Sequence, residues 1–364
     1  MNILFIGSSK HFSNAIKQCL ENKINFIVVE RESSINKNKL DFMKLEEQRV
    51  NYGHQEWLTI QKHIKYISYE SVLNFDLFLQ VLKDNNFFPT VCLNSSDSFE
   101  LLALEQKINS YFNCITYFSE QTKHFFTYKS VQEKLCIELD IPIPDRKGNA
   151  VCIKRDFKHN STLDRPLPKF RKESSDYNTK DGEFAQEWLD IDYIFNCDFY
   201  IDSKGDWYFT GLAKLMCEYS VPYFAFEPYF PIFEEQEEIV SIARKLKTKL
   251  DIRKRLICIQ IVKSKNHDQL MYLETNGRVN SEFNWVRNHE RSSYNPFNLL
   301  IFEKLLPNAY LYDKILMCNL FWNSYKDRVN DHFMSNYKFE FDFSINQSAT
   351  EQHLTKGVFY ITKV

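Results

Sequence analysis

The sequence predicts an α/β protein, α+β overall, that opens with a small parallel-sheet domain. Two observations carry this. Apolar strands alternate with helix-spaced segments over the first ~118 residues, and a β-hairpin late in the chain carries polar residues at alternate positions of one strand.

The elements follow in order. Residues 2–7 are an apolar strand ending in Gly7-Ser8-Ser9, and residues 10–22 carry helical spacing at Phe12, Ala15, Ile16, Cys19 and Leu20. Ser8 or Ser9 is the expected cap of that helix. Residues 26–30 form a second buried-type strand, so the start reads as a βαβ unit with a parallel sheet. Helices are expected near 41–48, 55–64 and 75–85, then a strand at 90–94, a helix opening over 98–104 and a short last strand at 114–117. A long helix from Ser119 or Thr122 through Leu139 follows. It stops at Ile141-Pro142-Ile143-Pro144, which no helix continues through.

Residues 151–154 form a strand that ends on Lys154. Residues 155–182 are polar, and order resumes over 184–189. Strands at 194–201 and 206–212 flank a turn at Ser203-Lys204-Gly205-Asp206. Residues 234–249 make an amphipathic helix. The hairpin comes next: an apolar strand at 256–262 interrupted only by Gln260, a turn at 263–268, and a strand at 269–273 running into Glu274. Helices at 296–305 and 311–328 and strands at 338–343 and 357–363 complete the reading.

Composition excludes several classes. At 364 residues the chain has room for two or three packed units. A net charge of −2 gives no electrostatic case for a nucleic-acid or membrane-surface binder. No apolar run reaches the roughly 18 residues that a membrane helix needs. The N-terminus lacks the basic start and cleavage site of a signal peptide. Nine cysteines without a C-x-x-C pair point to reduced thiols and a cytoplasmic protein, and nine histidines show no His-x-x-x-His pairing for zinc. Glycine numbers only 8, against a usual share of about 7%. There is no G-x-x-x-x-G-K-[ST] and no G-x-G-x-x-G, so P-loop and dinucleotide-binding readings have no material.

The most informative stretch is Leu273-Glu274-Thr275-Asn276-Gly277-Arg278. Its carboxylate, amide and guanidinium alternate, which puts them on one face of an extended strand. Such alternation also suits a half-solvated surface strand. It equally suits a site for Mg²⁺ and phosphate oxygens, since hard cations take oxygen ligands and Arg forks onto phosphate. The hairpin can set Gln260 beside Glu274.

The order of parts is specific. A small α/β domain precedes a helix beginning with Lys129, then Ile-Pro-Ile-Pro, a strand with Lys154, Gln186-Glu187-Trp188-Leu189, and the Gln260/Glu274-x-Asn276-x-Arg278 hairpin. This order resembles the ATP-grasp ligases over about 1–300, most of all the carbamoyl-phosphate-synthetase-like carboxylate–amine ligases. The resemblance implies a Rossmann-like pre-ATP-grasp domain at 1–118. It implies an ATP-grasp small, lid-bearing subdomain at 119–185 and a large subdomain with the metal hairpin at 186–300. Residues 301–364 would complete the fold.

It also implies roles. Without a P-loop, a triphosphate must be met by side chains and metal, and Lys129 and Lys154 suit that as flexible point charges. Lys129 would meet the α-phosphate side and Lys154 the space between phosphates and adenine. Gln186, Glu187, Trp188 and Leu189 would read the adenine at a hinge between subdomains. Asp190 and Asp192 compete for the ribose, with Asp192 preferred. Gln260, Glu274 and Asn276 would hold Mg²⁺, with Mn²⁺ as the alternative. Arg278 and Lys214 would face the reacting phosphate. Glu218, the aromatic run Tyr219, Tyr223, Phe224, Phe226, Tyr229 and Phe230, and the loop with Asn280, Ser281, Asn284, Arg287 and Arg291 are candidates for the acceptor site.

The implied activity joins a small-molecule carboxylate to an amine at the expense of ATP, with no nucleic-acid or membrane partner; a homodimer is compatible with it. Two departures stand out. Tyr128 stands where the family often has Asp. The segment 156–162 has no glycine, although a phosphate lid needs close backbone approach; Lys158 and Ser161 are the substitutes at hand. That second departure also suits a nucleotide-binding protein without turnover. A nucleotide-sugar transferase draws support from the N-terminal sheet alone.

Overall fold

The structure is a computed structural model. It describes residues 1–7, 9–30, 32, 35, 60, 62–69, 74–96, 98–145, 151–157, 169–171, 181–218, 221–228, 235–278, 300–301, 337–342 and 358–363.

The N-terminal sheet is parallel, in the order β3-β2-β1-β4. Its strands are β1 (Asn2–Ile6), β2 (Asn25–Glu30), β3 (Tyr66–Ser68) and β4 (Val91–Asn94). Helix α1 (Ser13–Glu21) packs Ala15, Ile16 and Cys19 onto the face with Ile3, Phe5 and Val28. Helices α2 (Phe75–Asp84) and α3 (Phe99–Phe112) cover the other face, which carries Leu4, Ile6, Ile27 and Val29. Covering both faces is what makes β1 and β2 continuous apolar runs.

Three expectations change here. Ser9 does not cap α1: its amide donates to Glu30 Oε2 at 3.1 Å, and a short 3₁₀ turn, Ser9–Phe12, precedes the helix. The strand expected at 114–117 shrinks to β5 (Tyr117–Phe118), which leaves the parallel sheet and pairs antiparallel with β12 (Ile252–Arg253). The long helix is two helices, α4 (Glu120–Thr127) and α5 (Lys129–Glu138). They break at Tyr128, whose φ of −109° and ψ of 125° are extended and which bridges to Phe157. The break leaves Lys129 as the first residue of a helix, as the order of parts in the sequence has it.

A three-stranded antiparallel sheet, β7-β6-β8, follows: β6 (Val151–Arg155), β7 (Lys169–Arg171) and β8 (Glu183–Glu187). The central sheet is antiparallel, in the order β11-β10-β9-β13-β14. It comprises β9 (Ile191–Ile201), β10 (Trp207–Glu218), β11 (Val221–Pro228), β13 (Arg255–Ser264) and β14 (Met271–Asn276). Helix α6 (Gln236–Lys247) seals one face, packing Ile239, Ile242, Ala243 and Leu246 with Phe195, Cys197, Phe199, Ile257, Ile259 and Ile261. Strands β15 (Tyr337–Asp342) and β16 (Val358–Lys363) pair near the C-terminus. The helices expected at 41–48 and 311–328 lie outside the described residues, as do most of those expected at 55–64 and 296–305.

No helix among the described residues is long and apolar enough to cross a membrane.

Candidate active site

The second face of the central sheet carries two polar rows across β9, β13 and β14. Register sets Asn196, Gln260 and Glu274 side by side on β9, β13 and β14, and Asp198, Cys258 and Asn276 in the next row. Directly opposed residues share a face. A bulge decides the arrangement. Ile261 pairs with Tyr272 but Gln260 pairs with Glu274, so Leu273 is the extra residue. In a regular strand without the bulge Leu273 would oppose Gln260, and Glu274, two positions past Tyr272, would follow it onto the core face. The bulge turns Glu274 and Asn276 to the polar face and leaves Tyr272 fully buried.

Helix α5 is locked against this strand by one side chain. Gln132 Nε2 donates to the Thr275 carbonyl at 2.8 Å, and Gln132 Oε1 accepts from Thr275 N at 3.1 Å and Tyr272 OH at 3.0 Å. Three residues before Gln132, Lys129 Nζ lies 2.9 Å from Glu274 Oε2. Asn276 Nδ2 donates to the other carboxylate oxygen at 3.4 Å.

The start of α5 is capped from a distance. Asp156 Oδ1 accepts from Ser130 N at 2.7 Å, Asp156 Oδ2 accepts from Ser130 Oγ at 2.6 Å, and the Asp156 carbonyl accepts from Lys129 N at 3.1 Å. A carboxylate at a helix N-terminus also meets the positive end of the helix dipole. Asp156 follows β6, so the cap brings the end of that strand, and Lys154 with it, to Lys129. Lys154 Nζ donates to Gln186 Oε1 at 3.3 Å. Burial pushes the Lys154 ammonium below its ordinary pKa, and the charge of Lys129 adds to this, while Cys152 and Glu274 oppose it. Lys154 is thus buried within the field of a second ammonium, that of Lys129, an arrangement that an added polyanion would relieve.

The hinge segment is held on both sides. Gln186 is buried in β8, and Glu187 N donates to the Asp145 carbonyl at 2.5 Å. Glu187 Oε2 lies 3.6 Å from His267 Nε2. Trp188 and buried Leu189 lead out of β8. The Asp190 carbonyl accepts from Lys265 N at 2.8 Å and Ser264 Oγ at 3.0 Å, which ties the hinge to the hairpin turn. Asp192 is exposed on β9.

Other candidates are dispersed. Arg278 lies past the end of β14 and lines a small cleft with Asn94, Ser95, Lys254 and Arg255. Lys214 lies in β10 opposite Phe195 and Glu227, in the register row of the core residue Phe195 and not in the row of Asn196 and Gln260. Glu218 ends β10 opposite Val221, and Tyr223, Phe224 and Phe226 lie in β11. Tyr219, Tyr229, Phe230, Lys158, Ser161, Asn280, Ser281, Asn284, Arg287 and Arg291 lie outside the described residues. Asn196, Asp198, Gln132 and the Asp156 cap are additions that sequence reading missed. Asn196 and Asp198 carried the same signal as Gln260, polar residues alternating in the apolar run Phe195–Phe199.

The donor set suits a cation that arrives with phosphate. No group of three or more His, Cys, Asp or Glu is gathered among the described residues. Glu274 flanked by amides, with Asp198 in the next row, is a donor set of the kind Mg²⁺ uses when phosphates and waters fill the remaining positions.

No family model matches the sequence, and no curated protein matches it. Solved structures match its fold along the whole chain. N5-carboxyaminoimidazole synthetase from Staphylococcus aureus aligns over 99% of this chain and 93% of its own, with a TM-score of 0.63 at 13% identity. L-amino acid ligase from Bacillus licheniformis aligns over 100% and 93%, with a TM-score of 0.65 at 9% identity. The carboxyaminoimidazole ribonucleotide synthase of Aspergillus clavatus, solved in complex with ATP, aligns over 100% and 93%, with a TM-score of 0.61 at 12% identity. A parallel N-terminal sheet followed by antiparallel sheets is common to this chain and these proteins, and the chain has their fold, the ATP-grasp fold.

Proposed function

We propose that the protein is an ATP-dependent ligase that joins a carboxylate to an amine. The observation that carries this is the Lys129–Glu274 ion pair together with the Asp156 cap that ties the β6 strand of Lys154 to the start of the Lys129 helix, on a fold whose neighbours include ATP- and ADP-bound synthetases.

Lys129 and Lys154 bind and orient the phosphates. Gln186, Glu187, Trp188 and Leu189 hold the adenine, and Asp192 the ribose. Gln260, Glu274 and Asn276 would hold Mg²⁺, which supplies charge neutralisation on the phosphates when bound. Lys129 then exchanges its contact with Glu274 for one with phosphate. Arg278 stabilises the charge that grows on the transferred phosphoryl group; Lys214, in the register row of the core residue Phe195, is not assigned that role.

The γ-phosphoryl group passes to a substrate carboxylate oxygen, giving an acyl phosphate and ADP. The amine attacks the acyl carbon, phosphate leaves, and the amine gives up a proton. The protein contributes positioning and charge rather than a covalent nucleophile. The fold neighbours support a small-molecule substrate pair, and a cytoplasmic setting belongs to the same reading. The pre-ATP-grasp, small and large units take the boundaries 1–118, 119–185 and 186–300, with 301–364 completing the fold.

The test is a screen of amine and carboxylate pairs for ADP release, repeated with Lys154→Ala and Glu274→Ala. Loss of release in both variants is expected; release unchanged in both sinks the proposal. The glycine-free segment at 156–162 favours a second reading, nucleotide binding without turnover. Mg²⁺-dependent ATP binding with no ADP formed from any pair would select it.

A further inference from the structure

Arg255 opens β13, and its side chain is only 6% exposed. Its fork points two ways. Nε donates to the Gly277 carbonyl at 2.8 Å, and Nη1 pairs with Glu105 of α3, which is fully buried. The guanidinium carbon lies 4.5 Å from the Phe118 ring centroid and 5.6 Å from that of Phe126. Gly277 is pressed against the same ring, since a Cβ there would lie 2.7 Å from Phe126 Cδ2. The backbone after β14 is therefore pushed from one side and pulled from the other.

The held carbonyl stands between Asn276 and Arg278. Two positions earlier, Gln132 holds the amide and carbonyl of Thr275. The backbone is thus fixed at 275 and 277, and the side chains proposed to face ligand are those at 274, 276 and 278. A buried ion pair is no better for stability than well-packed apolar residues. What a guanidinium adds is a rigid fork with two fixed directions.

We propose that Arg255 is a positioning residue for the ATP site: by clamping the Gly277 carbonyl it aims Asn276 and Arg278, and Glu105 holds the fork in place. The inference rests on the ligase reading of the hairpin. It also joins the N-terminal unit to the hairpin, because α3 follows β4, whose end supplies Asn94 and Ser95 to the cleft that Arg278 lines.

The test compares the affinities of wild type and Arg255→Lys for Mg²⁺·ATP and for adenosine, by calorimetry on the full chain. Lysine keeps the charge beside Glu105 and removes the fork. Supporting partners of metal ligands change affinity by roughly 10–100-fold, so Mg²⁺·ATP binding should weaken by at least about ten-fold while adenosine binding holds within about two-fold. Unchanged Mg²⁺·ATP affinity overturns the inference, as does equal loss of both ligands, the mark of a purely structural role. If Arg255→Lys does not fold, the pair Glu105→Leu/Arg255→Met replaces the ion pair with apolar residues, and the same two readings apply. Failure of both to fold also overturns it. A wild type that binds no Mg²⁺·ATP overturns the ligase reading itself, a result distinct from any variant outcome.

Discussion

The two main sheets put their polar groups in different places. In the N-terminal sheet, β1 and β2 are apolar on both faces, and polar side chains such as Glu30 and Asn94 gather at the strand ends. In the central sheet, β9 and β13 are apolar on the face toward α6, and Asn196, Asp198, Gln260, Glu274 and Asn276 occupy the middle of the opposite face, between the buried pairs Ile194–Val262 and Tyr200–Leu256. The first sheet is covered on both sides by helices, so any mid-strand polar group there would be stranded. The second is covered by α6 on one face and gathers its mid-strand polar groups on the other, the face proposed to meet the nucleotide.

That division predicts different outcomes for the two faces. Phe195→Ala empties a buried aromatic position on the α6 face, and truncations of this kind cost about 3–5 kcal/mol. A urea melt should show it, and so should Phe5→Ala in the N-terminal sheet. A loss under 1 kcal/mol in either would break the comparison. Gly277→Ala sits at the seam. The added methyl meets the Phe126 ring, so overpacking of about 1–3 kcal/mol is expected, together with weaker nucleotide binding. A stable variant with wild-type affinity would contradict the packed seam.

Glu274→Gln belongs to the polar face. Its pair with Lys129 is partly exposed, so stability should change by no more than about 1 kcal/mol. Mg²⁺·ATP affinity, read by calorimetry, should fall by about ten-fold or more. Asp156→Ala removes the distant cap of α5 and should cost about 1 kcal/mol by the same melt, with a parallel loss of affinity because Lys129 loosens.

The smallest effect is on pH. Lys154 has its pKa lowered in the folded state, burial being the largest cause. The unfolded chain then binds more protons, so this lysine's contribution to stability rises with pH from the lowered value toward the ordinary 10.5. Lys154→Met should therefore stabilise the unliganded protein near neutral pH. The advantage should vanish as pH approaches the ordinary lysine value; an advantage constant with pH would sink this account.

The parallel sheet was legible because continuous apolar strands and helix spacing are local signals. The hairpin was legible for the same reason, since Gln260 interrupts an apolar run. The bulge at Leu273 was not, because one extra residue leaves no mark on composition yet reverses which face Glu274 takes. The break at Tyr128 was missed because the residues on both sides have helical character. What ends α4 there is a bridge to Phe157 and a cap from Asp156, both supplied from beyond β6. Gln132 carried no local sign of its work, since its partners lie about 140 positions away. Asn196 and Asp198 were legible and overlooked.

Chemical footprinting of the lysines tests the central claim most directly. The protein is acetylated briefly with and without Mg²⁺·ATP, and the modified sites are read by mass spectrometry. Lys129 and Lys154 should be protected by the nucleotide, while the exposed Lys247 and Lys249 react equally in both samples. Modification of Lys129 and Lys154 unaffected by saturating Mg²⁺·ATP would contradict the account.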